Sequence, residues 1–284
     1  MQTFLVTGAN TGIGLALCKQ LCKDYGAKVF LGSRSAEKGE AAVKDVLEYA
    51  GADAKVELLQ IDVGSDESVQ KAAASLKDKD VKLTAIVNNA GTGLAHGSSD
   101  EMILNVNVLG PKRVVDSFQS LLDDAGSRIV NVGSGAGPMY VHKQSMQRKK
   151  LFVNPSITWE QIHAELDRGV PPEDPAHAMG MGSYGLSKAL LSCYTMLLAR
   201  ELKEKNISAF CLTPGYIDTA ITAGWDGGKP VEAGTVPIKH CLFDATPEES
   251  GWFFGSDAKR SQLHVLRNPG DPVFDGNITI SEVN

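Results

Sequence analysis

Short apolar runs rich in β-branched and aromatic residues alternate along this chain with longer segments whose apolar residues recur every three or four positions. The first run, 3–7, precedes a helix-like apolar stripe made of Leu17, Cys18, Leu21, Cys22 and Tyr25. Further strand-like runs occupy 27–32, 56–61 and 83–87. The alternation predicts an α/β fold with a parallel, doubly wound sheet between two layers of helices.

Three glycines separate the first strand from the first helix. Gly8, Gly12 and Gly14 form a GxxxGxG pattern. Glycine permits a tight turn and close approach of the backbone to a diphosphate, which helix N-terminal N–H groups can hold. Isolated glycine triplets are often simple turns, but the position between a strand and a helix favours a dinucleotide-binding unit of the Rossmann type.

The end of the second strand bears on which dinucleotide is bound. NAD-selective sites usually place an acidic residue there for the ribose 2′-hydroxyl, whereas this chain has Gly32-Ser33-Arg34-Ser35. A guanidinium suits a 2′-phosphate because it forms charge-assisted, often bidentate hydrogen bonds. The sequence therefore predicts NADPH/NADP⁺ as the cofactor. The alternative is that Arg34 is a solvated loop cation.

Two later strand ends carry further candidates. Asp62 and Val63 follow the third strand, where a carboxylate and an apolar side chain could border an adenine ring. Asn88-Asn89-Ala90-Gly91 follows the run 83–87 and either braces the sheet or forms the floor of a cofactor cleft. Both are expected near the ligand, since ligands of doubly wound sheets lie at the carboxyl ends of the strands.

Tyr184 and Lys188 lie four residues apart where an apolar helical run begins. On a helix their Cβ atoms would be about 5–6 Å apart. An ammonium group beside a phenol favours the phenolate, so Lys188 is expected to lower the pKa of Tyr184 and make it a better proton donor. By itself, the spacing is equally typical of a surface pair.

Composition narrows the function classes. The 284 residues include 28 basic and 34 acidic ones, a net charge of −6 without long single-sign blocks, which gives little support for binding nucleic acid or anionic membranes. No apolar run approaches about 18 residues, and no signal peptide is evident, so a cytoplasmic protein is expected. The five cysteines and six histidines match no metal-binding spacing, and we expect neither a metal site nor a disulfide.

TGANTGIG (7–14), NNAG (88–91) and YGLSK (184–188) together resemble the short-chain dehydrogenase/reductase family. The resemblance continues in order along the chain. Asn107 falls at the family's helix asparagine, and 128–134 resembles the strand that ends in its catalytic serine. Residues 207–212 are similar to strand six, and Pro214-Gly215 is similar to the family's cofactor turn.

The resemblance implies a catalytic role for four residues. Tyr184 would protonate a carbonyl oxygen, and Ser134 would hydrogen-bond the same oxygen. Lys188 would lower the tyrosine pKa and hold the nicotinamide ribose, and Asn107 would anchor a water that links Lys188 to solvent. The alternatives are that Ser134 only ends a strand with a hydroxyl turn and that Asn107 bonds only to backbone.

With the family positions, the expected cofactor-binding set is Gly8, Asn10, Thr11, Gly12, Ile13, Gly14, Arg34, Asp62, Val63, Asn89, Ala90, Gly91, Tyr184, Lys188, Pro214, Gly215, Ile217 and Thr219.

Ser134 and Tyr184 are 50 positions apart, whereas most family members have about a dozen residues between these roles. The inserted segment, about 138–180, contains a capping-box pattern at 158–161 that predicts a short helix to Arg168. Its apolar stripe is Trp159, Ile162 and Leu166. The insert is similar to that of monomeric carbonyl reductases and their plant relatives, in which it covers a dimerisation surface. We expect a monomer; the alternative is a disordered loop.

The substrate wall is expected from variable loops, among them a substrate-loop region at about 216–240. Candidates are Met139, Tyr140, Tyr216, Ile217 and Trp225, each of which could instead pack in the core. The pattern near the end predicts a helical segment with Trp252, Phe253 and Phe254, and either a last strand or a tail loop at 277–280.

The favoured function is NADPH-dependent reduction of a small carbonyl substrate, a ketone, aldehyde or quinone. The alternatives are an NADP-dependent secondary-alcohol dehydrogenase and a non-catalytic NADP-binding sensor or scaffold.

Overall fold

The computed structural model describes residues 1–93, 97–123, 126–174, 182–224 and 226–276. Within them the strands are β1 (Thr3–Val6), β2 (Lys28–Ser33), β3 (Val56–Gln60), β4 (Ala85–Asn88), β5 (Arg128–Val132), β6 (Ser208–Leu212), β7 (Phe253–Phe254) and β8 (Arg260–Ser261). They form one sheet in the order β3-β2-β1-β4-β5-β6-β7-β8, parallel except for the antiparallel β7–β8 pair.

The α-helices in the described residues are α1 (Gly12–Tyr25), α2 (Ala36–Ala50), α3 (Asp66–Lys77), α4 (Asp100–Leu104), α5 (Gly110–Phe118), α6 (Ala136–His142), α7 (Met146–Phe152), α8 (Trp159–Arg168), α9 (Gly182–Glu201) and α10 (Val231–Lys239). Side chains of α1, α2 and α10 form the core on one face of the sheet. Those of α3, α5 and α9 form the core on the other face. The predicted three-layer α/β fold with a doubly wound parallel sheet is confirmed.

Both faces of the sheet are buried, as the first strand shows. Phe4 and Val6 pack with the α1 side of the sheet, whereas Leu5 between them packs with the α9 side. Successive strand residues point to opposite faces, so a strand covered on both sides needs an unbroken apolar run. This is why the strands appear in the sequence as short continuous apolar runs.

The two nearby cysteines of α1 are core residues, as predicted. Cys18 and Cys22 are buried against the sheet. Burial raises the pKa of both thiols, that of Cys22 to about 11, so the reactive thiolate is disfavoured.

The inserted segment folds into α7 and α8. Thr158 and Gln161 form the predicted capping box, and the helix it opens ends at Arg168 as expected. Ile162 is fully buried, and the ring of Trp159 packs edge-on against Tyr194 of α9 with centroids 5.7 Å apart. The predicted apolar stripe is therefore confirmed for 159–166, and the disordered-loop alternative does not hold for the described part of the insert.

A largely buried arginine holds the insert together. The Arg148 guanidinium donates to the Tyr140 hydroxyl (3.0 Å), the Glu165 carboxylate (2.5 Å) and the Asp174 carboxylate (3.3 Å), and also to Gln144. The Gln144 amide in turn donates to Asp174 at 3.2 Å. These contacts join α6, α7 and α8 to the segment that ends at residue 174. The Arg148 side chain therefore connects four segments of the chain.

The predicted helical segment at 252–254 is wrong. Phe253 and Phe254 form β7, which pairs with Cys211 and Leu212 of β6. Aromatic residues are common in strands, and the pairing with β6 adds β7 to the sheet as the next strand. The predicted strand or tail loop at 277–280 lies outside the described residues. In the part of the chain that is described, no helix has both the length and the hydropathy to span a bilayer.

Candidate active site

Four adjacent strands end at the same edge of the sheet, and most predicted site residues follow them. Gly8 follows β1, Asn89 follows β4, Ser134 follows β5 and Pro214 follows β6. The strand order reverses between β1 and β4, and a doubly wound sheet opens its ligand crevice at such a point. The fold thus brings together residues up to 206 positions apart in the sequence.

The glycine loop between β1 and α1 has room for glycine only. Gly8 has a φ of +61°, and a β-carbon there would lie 2.7 Å from Cα of Ala90. Gly12 has a φ of +58°, and a β-carbon at Gly14 would lie 2.5 Å from the Asn89 amide nitrogen. The loop leads into the N-terminus of α1, whose free N–H groups and dipole favour a diphosphate.

The amide-rich segment after β4 braces this loop. The Asn89 side chain donates to the carbonyls of Thr7 (2.9 Å) and Gly8 (3.1 Å). The backbone N–H groups of Asn89 and Ala90 donate to the Thr7 hydroxyl, both at 3.1 Å. Of the two alternatives for this segment, the contacts show bracing. Thr7 was not among the predicted site residues, although a hydroxyl directly after a strand was a usable signal.

Other predicted cofactor residues border the loop. The Thr219 methyl group lies 3.6 Å from the β-carbon position of Gly12. Ile13 and Ile217 both contact Gly234 of α10, within 3.2 Å of its β-carbon position. Asn10 is half-buried and Thr11 is exposed at the start of α1. The turn at Pro214–Gly215 therefore continues into a segment that faces α1.

Asp62 and Val63 lie at the end of β3, but their side chains are differently placed. The Asp62 carboxylate accepts a hydrogen bond from the Gly64 N–H at 2.9 Å. Val63 is 7% exposed and packs against Gly110 of α5. The carboxylate remains at the crevice edge, while the valine side chain belongs to the core. Its predicted role as an apolar border for adenine is not supported by this burial.

Arg34 is exposed directly after β2, one residue before Ser35 caps α2. Among the described residues, no carboxylate forms an ion pair with its guanidinium. Its five N–H donors are therefore available to a phosphate at the mouth of the crevice.

Tyr184 lies at the start of α9, next to Ser134, the residue predicted to bond the same substrate oxygen. A side-chain hydrogen bond joins its hydroxyl to that of Ser134. Ring atoms of Tyr184 also lie 3.5 Å from the β-carbon position of Gly93. Ser134 and Tyr184, 50 positions apart in the chain, are thus direct neighbours.

The pKa of Tyr184 differs from the sequence prediction. Burial raises it above its ordinary value, and the Ser134 hydrogen bond acts in the opposite direction. Lys188 lies with Nζ 5.7 Å from the ring centroid, and burial lowers the pKa of Lys188 itself to about 8. The expected net lowering of the Tyr184 pKa is therefore wrong, because desolvation by burial outweighs the hydrogen bond from Ser134.

Lys188 is 5% exposed and faces the end of β5. Its Nζ donates to the Val132 carbonyl at 3.0 Å. An ammonium has three donors, and no second hydrogen bond from Lys188 Nζ occurs in the described part of the chain. The remaining donors can hold ribose hydroxyls, so the side chain fits its predicted cofactor role.

We expect Lys188→Met to raise the free energy of unfolding at pH 7 by on the order of 2 kcal/mol, since it removes a buried charge. Below a pH of about 8, Lys188 is charged in both the folded and the unfolded state, and the wild type bears the full cost of burying the ammonium group. Between about pH 8 and about 10.4 the unfolded chain binds more protons than the folded one. The free energy of unfolding of the wild type therefore rises with pH, and the stability advantage of Lys188→Met shrinks.

Urea unfolding of Lys188→Met and wild type from pH 7 to 9.5 measures this difference. The exposed Lys203→Met serves as the control and should show no such pH dependence. An advantage of Lys188→Met that stayed constant over the range would contradict the assignment.

Asn107 lies in a π-helical turn, Asn105–Leu109, between α4 and α5. Its carboxamide exchanges two hydrogen bonds with the backbone of Thr92, both 2.9 Å, and donates to the Ser187 hydroxyl at 3.0 Å. Its Oδ1 and Lys188 Nζ lie 3.4 and 3.6 Å from the β-carbon position of Gly91. The asparagine thus bonds to more than its own helix, and it adjoins Lys188. The π-turn had no signal in the sequence pattern.

The predicted substrate-wall residues separate in the structure. Met139 is half-buried on α6, and Tyr216 is 39% exposed beside the Pro214–Gly215 turn. Tyr140 is fully buried, with its hydroxyl bonded to Arg148, so its prediction as a wall residue is wrong. Tyr140 follows Met139 in the segment after Ser134, but its ring packs against Phe152 of the insert. Trp225 lies outside the described residues.

Residues 2–146, slightly more than half of the chain, match the family described as short chain dehydrogenase. The chain belongs to the short-chain dehydrogenase family. It is therefore an oxidoreductase of the kind that uses a nicotinamide cofactor, and its resemblance to the carbonyl reductases, inferred from motifs, is confirmed.

Relatives match this short-chain dehydrogenase over nearly its whole length. The (+)-neomenthol dehydrogenase of Arabidopsis thaliana is 30% identical, covering 88% of this chain and 94% of the relative. Carbonyl reductase [NADPH] 1 of Sus scrofa is 26% identical, covering 90% and 92%. Salutaridine reductase of Papaver somniferum has a structure similar to this dehydrogenase, with a TM-score of 0.73 and 25% identity over 89% of this chain and 99% of that one.

An NADPH-bound carbonyl reductase from chicken fatty liver shares the fold of this dehydrogenase. Its TM-score is 0.68, with 22% identity over 92% of this chain and 98% of that one. The residues of this chain fit the same class of cofactor: the glycine cradle and α1 suit a diphosphate, and Lys188 retains donors for a ribose.

Proposed function

We propose that this dehydrogenase reduces ketones, aldehydes or quinones to alcohols with NADPH. The observation that carries the proposal is the hydrogen-bonded Tyr184–Ser134 pair beside buried Lys188, at the edge of the sheet that also holds the glycine loop. Two relatives add support, because the Sus scrofa protein is named for NADPH-dependent carbonyl reduction and the chicken structure contains NADPH.

The cofactor would supply a hydride to the carbonyl carbon, and the side chains would handle the charge and the proton. As the carbon–oxygen double bond opens, negative charge builds on the oxygen, where the hydroxyls of Ser134 and Tyr184 donate hydrogen bonds. Tyr184 transfers its proton to that oxygen, which yields the alcohol. Its raised pKa keeps the donor protonated at neutral pH.

Lys188 and Asn107 would support that step. Lys188, with a pKa of about 8, carries charge near neutral pH and stabilises the phenolate that the proton transfer leaves. Asn107, which lies near Lys188 beside Gly91, would anchor a water for proton resupply. The site can also run in reverse as a secondary-alcohol dehydrogenase, since the same atoms serve both directions; the Arabidopsis relative is named a dehydrogenase.

The direct test follows NADPH absorbance with a panel of apolar ketones, aldehydes and quinones, and NADP⁺ with the matching alcohols. Carbonyl-dependent NADPH oxidation is expected. Tight NADPH binding by calorimetry with no turnover of any compound would instead favour the sensor or scaffold alternative.

We expect Arg34→Glu to raise KM for NADPH about 10–100-fold, because a charged hydrogen bond to the 2′-phosphate contributes about 1.5–3 kcal/mol. The added carboxylate also repels the phosphate and can bond the 2′-hydroxyl of NADH, so the NADPH preference should shrink or reverse. Initial rates with both cofactors measure the ratio.

The control for Arg34 is Lys44→Glu, which changes charge equally on the exposed side of α2. It should leave the cofactor ratio near that of the wild type. A wild-type preference for NADH, or equal effects of the two substitutions, would refute the role of Arg34.

We also propose a monomer, as the insert implies. α8 lies over α9 through Trp159 and Tyr194, and the Lys112 ammonium of α5 sits 4.8 Å from the Trp159 ring centroid. The insert therefore covers part of the α5–α9 surface that a second copy would need. Light scattering should give a mass near 30.2 kDa, and a mass twice as large would contradict the proposal.

A further inference from the structure

The segment after β8 reaches the active-site edge of the sheet. β7 lies beside β6, and the Thr213 N–H donates to the Phe254 carbonyl at 2.9 Å. Beyond β7, the Ser256 side chain lies 2.9 Å from the β-carbon position of Gly215. The C-terminal segment therefore borders the turn at Pro214–Gly215, which follows β6 into the site.

A buried arginine fixes the course of this segment. Arg267 is 7% exposed, and its guanidinium donates to the carbonyls of Arg260 (3.3 Å), Asn268 (3.0 Å) and Asp271 (2.8 Å). It also forms an ion pair with Asp257, and its backbone N–H donates to the hydroxyl of Ser261 in β8. Such a set of charge-assisted hydrogen bonds holds the neighbouring residues in one geometry.

The residue before this arginine touches the catalytic turn. Cδ2 of Leu266 lies 2.7 Å from the β-carbon position of Gly135, the residue that follows Ser134. The Gly135 N–H in turn donates to the Thr213 hydroxyl at 3.1 Å. Leu266 is only half-buried, so the residue keeps some accessible surface next to the turn that carries Ser134.

We propose that Leu266 is a specificity-determining residue that contacts the apolar substituent of the substrate next to Ser134. The inference rests on the proposed carbonyl chemistry for the identity of the substrate. It follows from the placement of an anchored, half-exposed apolar side chain within one residue of the hydroxyl that bonds the carbonyl oxygen. A larger side chain at 266 narrows the space for that substituent, and a smaller one widens it.

The first test compares acetophenone with 4-tert-butylacetophenone. Leu266→Ala should raise the ratio of kcat/KM for the bulky over the small ketone about 10-fold, and Leu266→Phe should lower it by a similar factor. A ratio taken on one enzyme preparation cancels any loss of folded protein. Val265→Ala is the matched control, because Val265 is the adjacent residue and is 38% exposed.

Ratios that stay within twofold of wild type in both Leu266 variants, while NADPH turnover persists, would overturn the placement. So would an equal change in Val265→Ala.

A second test needs no turnover. All five native cysteines are buried, so Leu266→Cys and Val265→Cys each introduce one accessible thiol. NADP⁺ with 4-tert-butylacetophenone should slow alkylation of the thiol in the Leu266→Cys variant by N-ethylmaleimide and leave that of Val265→Cys unchanged. If the ligands slow alkylation but the protein reduces no carbonyl, residue 266 contacts the ligand although the proposed reaction fails. Equal alkylation rates with and without the ligands would overturn the proposed contact.

Discussion

Replacing Tyr184 with phenylalanine is expected to lower kcat for carbonyl reduction by about 10²–10⁴-fold, the usual contribution of a positioned general acid. The substitution removes the proton donor and the hydrogen bond to Ser134, and it keeps the ring that packs against Gly93. Binding of NADPH should therefore persist while the chemical step slows. Steady-state kinetics together with NADPH titration by fluorescence separate these two effects.

Tyr194→Phe provides a matched control on the same helix. In the described part of the chain, the Tyr194 hydroxyl is buried without a hydrogen-bond partner. Its removal should leave kcat unchanged and should not lower stability, because a buried, unpaired hydroxyl carries a desolvation penalty. Turnover of Tyr184→Phe within tenfold of the wild type would exclude Tyr184 as the proton donor.

Replacing Arg148 with methionine should lower the free energy of unfolding by on the order of 3 kcal/mol. The substitution keeps a long apolar stem over Tyr140 and Phe152 but removes the charge that faces Glu165 and Asp174. The side chains of these two carboxylates are only 12% and 3% exposed, so the substitution leaves both in a poorly solvated position without the compensating charge of Arg148. Urea denaturation followed by circular dichroism measures the change.

Arg168→Met is the control for this prediction. Arg168 also faces Glu165, at 3.8 Å, but its side chain is 41% exposed. An exposed pair of this kind contributes about 0–1 kcal/mol. If the two variants were destabilised equally, or if Arg148→Met were as stable as the wild type, the insert would not depend on the buried network.

Features that depend on residues close in sequence were predicted correctly. Gly8 and Gly14 were assigned to a tight loop because a strand precedes them and a helix follows, and both prove intolerant of a β-carbon. The capping box at 158–161 and the stripe from Trp159 were equally accurate. Each of these features depends on residues only a few positions apart, so its physical cause is present in the sequence.

Several features that depend on residues far apart in the sequence were not predicted correctly. Tyr140 was expected at the substrate wall, but the partner that buries it, Arg148, acts only once α6 and α7 are folded together. Phe253 and Phe254 were assigned to a helix, and their pairing with β6 spans about 42 positions. Leu266 had no signal at all, because its contact with Gly135 crosses nearly half of the chain.

Sequence alone determined the family, the α/β fold and the set of residues at the carboxyl ends of the strands, because apolar periodicity and motif order are local properties that the fold preserves. The tertiary structure decided the electrostatics around Tyr184 and Lys188. Burial raises the pKa of the tyrosine and lowers that of the lysine, the opposite of what their spacing on a helix implied for Tyr184. Desolvation depends on everything packed around a group, and a one-dimensional pattern does not contain that information.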